Sequence, residues 1–120
     1  EMLGAARMKG LYRHLMAADV TAPLPSIAGE YRGVISAGTF TMGHVGPEGL
    51  LPLLDVAASG AIFVISVNAA HYEAAGFGKQ MRAYSPRIQG LTLRDVRIYD
   101  DRADEAHRND MARLMVFQKA

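Results

Sequence analysis

Residues 61–67 read Ala-Ile-Phe-Val-Ile-Ser-Val, an uncharged run rich in β-branched side chains. So uniform a run suits a strand buried on both faces, the situation of strands in a parallel sheet covered by crossover helices. Gly33–Ala37, reading Gly-Val-Ile-Ser-Ala, is a shorter run of the same kind. Two parallel neighbours need a crossover between them, and the sequence supplies one. Pro47 is a good first helical residue, Leu50, Leu53, Leu54 and Ala57 form an apolar stripe, and Gly60 is placed to end the helix. Pro52 conflicts with this helix, because an interior proline costs about 3 kcal/mol unless it lies in the first turn. A kink or a late start is therefore predicted.

The rest of the chain fits around that unit. Met2, Ala5, Ala6 and the stem of Lys9 recur at helical spacing, with Gly10 as the stop. Leu11–Val20 reads equally as a continuation of this helix or as a strand ending near Asp19. Pro23, Pro25 and Gly29 make residues 21–30 a loop. Tyr72–Tyr84 has helical spacing weakened by Gly76 and Gly78, and Ser85, Pro86 and Gly90 interrupt it. Leu91 and Leu93 alternate, the phase slips at Asp95, and Val96 with Ile98 resume, which predicts a strand with a bulge. Met111–Gln118 is the last strand, and the charged residues 99–110 form a solvated connection. The expected architecture is one α/β domain over residues 1–120, with parallel strands first and an antiparallel pair last.

Composition narrows the function classes. Thirteen Lys and Arg against twelve Asp and Glu leave a charge of +1, without the basic footprint that nucleic acid or anionic lipid selects. The longest apolar run, Gly60–Val67, is far short of the roughly 20 residues of a membrane-spanning helix. There is no cysteine, hence no disulfide and no thiolate chemistry, and the opening residues do not resemble a targeting peptide. A cytoplasmic protein is expected.

The most unusual stretch is Gly38–Pro47, GTFTMGHVGP, directly beyond the end of an apolar strand. In open α/β sheets ligands bind outside the carboxyl ends of strands, and glycines there let the backbone approach a ligand. The same glycines would also serve a plain strand-to-helix turn. Within the stretch, His44 has a ring suited to accepting a proton or binding a substrate. His14, His71 and His107 are scattered and none forms a close i, i+4 pair with another His or a carboxylate cluster, so no metal site is assigned. Asp19, followed by Val20, could accept a hydrogen bond from an exocyclic amine, or could be a turn or cap residue before Thr21 and Pro23.

Three stretches, EMLGAARMKGLYRHLMAADVTAPLP, YRGVISAGTFTMGHVGPEGL and SGAIFVISVN, resemble consecutive blocks of class I S-adenosylmethionine-dependent methyltransferases, in particular the Williams-Beuren-region methyltransferase-like branch. The resemblance implies a partial Rossmann-like sheet with helices on both faces. It implies S-adenosylmethionine as cofactor, with Asp19 at the adenine amine and the Val20 amide at a ring nitrogen. Ser36, Ala37 and Gly38 would line its methionine side, and Thr39, Phe40 and His44 would face the methyl group and a small-molecule acceptor. Thr39 and His44 are the catalytic candidates. The chain departs from the pattern at Arg32, where an acidic residue commonly opens the fourth strand, and at residues 58–61, which replace a Lys-Pro-Gly-Gly turn. Met42 stands where the pattern has His.

Family members also carry a glycine-rich turn after the first strand and an acid ending the second, and by this alignment the chain begins after both. The family strand order is 3, 2, 1, 4, 5, 7, 6, so the third and fourth strands stand about 14 Å apart at roughly 4.8 Å per strand. Leu11–Val20 is then expected to pair abnormally with the free edge of the fourth strand, to pair with another chain, or to pack poorly. The leading expectation is the rear part of a methyltransferase, inactive on its own. The alternatives are a non-catalytic remnant that self-associates or binds partners through an exposed sheet edge, and a different nucleotide-binding α/β protein.

Overall fold

The computed structural model describes residues 2–11, 18–24, 31–40, 45–97 and 110–120. In chain order the elements are α1 (Met2–Lys9), β1 (Tyr31–Phe40), α2 (Leu50–Val56), β2 (Ala57–Asn68), α3 (Ala69–Ala74), α4 (Phe77–Ala83), β3 (Ile88–Arg97) and β4 (Met111–Lys119). The strands form one mixed sheet in the order β1-β2-β4-β3. β1 and β2 are parallel, whereas β4 lies between β2 and β3 and runs antiparallel to both. Parallel strands followed by an antiparallel pair is the expected architecture.

β2 is the centre of the fold. Its alternate residues Ala61, Phe63, Ile65 and Val67 are buried, and β4 continues the same face with Met115 and Phe117. Leu50 and Leu54 of α2, Tyr72 of α3, and Phe77 and Met81 of α4 join them in one cluster. Phe63 and Phe117, direct cross-strand partners, stack with ring centroids 4.8 Å apart, and Phe40 meets Phe77 edge-on at 6.0 Å. Each such side chain contributes roughly 1.5–3 kcal/mol through burial.

That cluster occupies a single face of the sheet, so among the described residues α2, α3 and α4 cover one side rather than both. On the other side Ile35 is 84% exposed and Ile62 50%. The strand read as Gly33–Ala37 is therefore largely exposed instead of buried on two faces. The reason is positional: β1 is an edge strand, and among the described residues nothing pairs with its outer side. The expectation for Leu11–Val20 falls mainly on residues 12–17, outside the described residues; Leu11 itself is exposed, and Ala18 and Asp19 are not in a strand.

Local signals explain the helices. A 3-10 turn over Pro47–Gly49 precedes α2, which starts only at Leu50 and so places Pro52 in its first turn. The missing amide of Pro52 has no intrahelical acceptor to lose there. α2 then passes into β2 at Ala57 with no glycine stop, and Gly60 lies inside β2 at φ +82°. The expected Tyr72–Tyr84 helix is divided in two. Asn68 caps the first piece, its side-chain oxygen accepting from the His71 amide at 3.1 Å, and Gly76 at φ +74° breaks the chain before α4.

The bulge of β3 sits earlier than the pattern predicted. Gln89 pairs with Gln118 and Thr92 with Val116, leaving Gly90 and Leu91 opposite Phe117, with Gly90 at φ +68°. A left-handed glycine in the first bulge position is the usual backbone solution. Asp95 keeps the regular register and faces Arg113, so its polarity in an apolar alternation reflects a charged partner and not a phase slip.

Candidate functional site

The carboxyl end of β1 carries most of the sequence-predicted positions. Ser36 and Thr39 are half-buried, Ala37 and Gly38 are exposed, and Phe40 is buried. Pairing with β2 jumps from Ser36 opposite Ile65 to Phe40 opposite Val67, so Ala37, Gly38 and Thr39 form an irregular segment. Gly38 turns it at φ +82°, and a Cβ there would meet no heavy atom of a described residue within 4 Å. Among the described residues the backbone is thus unobstructed at the position where α/β sheets bind ligands. His44 lies outside the described residues.

Asp19 is exposed and makes a tight turn. Its Oδ1 accepts from the Thr21 amide at 2.9 Å and from the Thr21 hydroxyl at 2.6 Å, while its carbonyl accepts from the Ala22 amide at 3.1 Å. The Thr21 hydroxyl, and then its amide, hold the Asp19 carboxyl below its ordinary value. This is the turn geometry that an Asp before Thr21 and Pro23 allows, and half-buried Val20 follows within it.

Two groups at the same end of the sheet were not anticipated. His71 is buried, its ring edge-on to Phe77 at 5.3 Å, with Nε2 2.8 Å from the Val45 carbonyl oxygen. A carbonyl can only accept, so Nε2 carries the proton and the ring ties α3 to the approach to α2. Arg113 donates from Nε to Asp95 Oδ1 at 2.7 Å and from Nη2 to Oδ2 at 3.1 Å, and pairs through Nη1 with Glu73. Its guanidinium lies 4.8 Å from the centroid of the Tyr72 ring. These contacts join β4, β3 and α3. They also hold the Asp95 carboxyl below, and the Arg113 guanidinium above, their ordinary values, while burial pushes the Tyr72 hydroxyl up. The sequence did contain a signal for this cluster: opposite charges at core-phase positions of two consecutive strands.

No protein-family model matches the chain, and no match is found among curated proteins.

Proposed function

We propose that the chain is the rear part of an S-adenosylmethionine-dependent methyltransferase domain whose acceptor is a small molecule. The observation that carries this reading is the sheet order. The blocks resembling the fourth and fifth family strands are β1 and β2, and the two strands that follow take positions sixth and seventh in sequence. In space the order becomes fourth, fifth, seventh, sixth, with the last strand inserted antiparallel between two earlier ones. The family order inferred from the resemblance ends in the same four.

The carboxyl end of β1 fits the methionine side of such a cofactor, since Gly38 leaves space that a side chain would fill. On this reading Ser36, Ala37 and Gly38 line that side, and Asp19 and Val20 serve the adenine. Thr39 and His44 orient the acceptor. The cofactor supplies an electrophilic methyl group, and the chain's own contribution is to hold the acceptor in line, so that most of the rate comes from proximity. The glycine-rich turn and the acid that complete the family's site are not among these 120 residues, so a complete site requires them from elsewhere.

The second reading, a non-catalytic module that associates through its sheet edge, is favoured by the unpaired outer side of β1 among the described residues and by the exposure of Ile35. Calorimetry with S-adenosylhomocysteine on the product of the full reading frame separates the two. Saturable heat is expected, and its absence would sink the methyltransferase assignment.

A further inference from the structure

The helical layer falls one strand short of covering its own face. Helix-facing Phe63, Ile65 and Val67 of β2 and Met115 and Phe117 of β4 are buried, yet on β3 the helix-facing Leu93, in register with Met115, is 46% exposed. A cleft of about 380 Å³ lies between α4 and β3 as a result. Tyr72 and Met81 line it from the helices and Ile88, Leu91 and Leu93 from the strand. The bulge contributes to its shape: Gly90 and Leu91 together face Phe117, so the strand gains a residue where the cleft opens. The volume lies within the range of small-molecule sites, which are largely apolar with a few polar groups fixing orientation.

Arg82, in the last turn of α4, is the one charged residue among the described residues lining the cleft. Arg87 and Arg113 are held by Asp55 and by Asp95 with Glu73, whereas Arg82 makes no ion pair with a described residue. Ser85 and Gln89 supply neutral polar groups beside it. An apolar trough with one uncompensated guanidinium complements a molecule of matching polarity, an apolar body ending in a single negative charge.

We propose that the cleft between α4 and β3 is a binding site for a small amphiphilic monoanion of the medium-chain carboxylate type, its tail against Leu91, Leu93 and Met81 and its carboxylate on Arg82. This site lies at the sheet edge opposite β1. The inference goes beyond the methyltransferase reading and does not depend on it.

Sodium octanoate, octanol and octyltrimethylammonium are titrated separately into the isotope-labelled chain while backbone amide shifts are followed by NMR. Octanoate is expected to give saturating shifts centred on Gly78, Gly90, Leu91 and Leu93, with octanol weaker and the cation weakest. Arg82→Gln, at an exposed position, should weaken octanoate about tenfold and leave octanol unchanged, as expected for loss of one charge-assisted contact. Leu93→Asp should weaken both. The proposal is overturned if the octanoate shifts centre on Ile35 and Ile62, if they fail to saturate, or if Arg82→Gln affects octanol and octanoate equally. It is also overturned if the same amides shift with protein concentration alone, which would make the cleft an interface between two copies.

Discussion

Arg113 and Asp95 are both direct cross-strand partners and a two-point ion pair, so the register of β3 on β4 and the pairing of the charges specify each other. A one-residue slip would carry Asp95 to the opposite face and set the guanidinium opposite Arg94 or Val96.

This pair makes stability sensitive to acid. The Asp95 carboxyl is held by Arg113 below the ordinary value of 3.8 that it regains on unfolding. A depressed carboxylate stabilises the fold above the unfolded value and loses that contribution as pH falls through the folded one. Urea midpoints should therefore decline as pH drops below about 4, and Arg113→Met should flatten this limb while lowering the midpoint at neutral pH.

His71→Ala removes the donor that satisfies the Val45 carbonyl and opens space beside Phe77. A loss of about 1–3 kcal/mol is expected in chemical denaturation, since the half-buried Val45 carbonyl is left without its donor and a space opens in the core.

Gly76→Ala tests the break between α3 and α4. No atom obstructs a Cβ there, so the penalty comes only from the left-handed φ of +74°. It should be about 1 kcal/mol, with Gly76→Asn costing less. Equal stability of the glycine and alanine proteins would mean that the two helices rejoin as one.

Phe117→Ala removes half of the stacked pair at the centre of the core. A loss of roughly 3–5 kcal/mol is expected, a large share of the 5–15 kcal/mol typical of a domain. Phe117→Leu should be far milder, and thermal unfolding followed by circular dichroism distinguishes the two.

Ile35→Lys discriminates between the functional readings. At 84% exposure the substitution should change monomer stability by less than about 0.5 kcal/mol. If the β1 edge mediates self-association, sedimentation should show the variant dissociating at concentrations where the parent remains associated.

β2 was legible from the long apolar run Ala61–Val67, β1 from a shorter run of the same kind, and β3 from the alternation of Leu91, Leu93 and Val96. Gly33–Ala37 has the composition of a doubly buried strand but lies at the sheet edge, because composition reports what a strand is suited to while exposure depends on its neighbours. Gly60 has the left-handed backbone that suits a helix stop, yet the same conformation serves an irregular strand equally well, and here it lies inside β2. At the candidate site, the glycine-bearing end of β1 could be read from its composition. The contact of His71 with Val45, 26 residues away, and that of Arg113 with Glu73, 40 residues away, could not, because nothing local in the sequence joins those pairs.

The exposed side chains on the far face of the sheet have a calorimetric consequence. Ile35 at 84% and Ile62 at 50% exposure already meet water in the folded state, so they expose less new apolar surface on unfolding than core residues do. The heat-capacity increment should fall below the usual ~12–15 cal/mol/K per residue, which broadens the stability curve. An assembly that covers this face would restore the missing increment on association, as a negative heat-capacity change of binding.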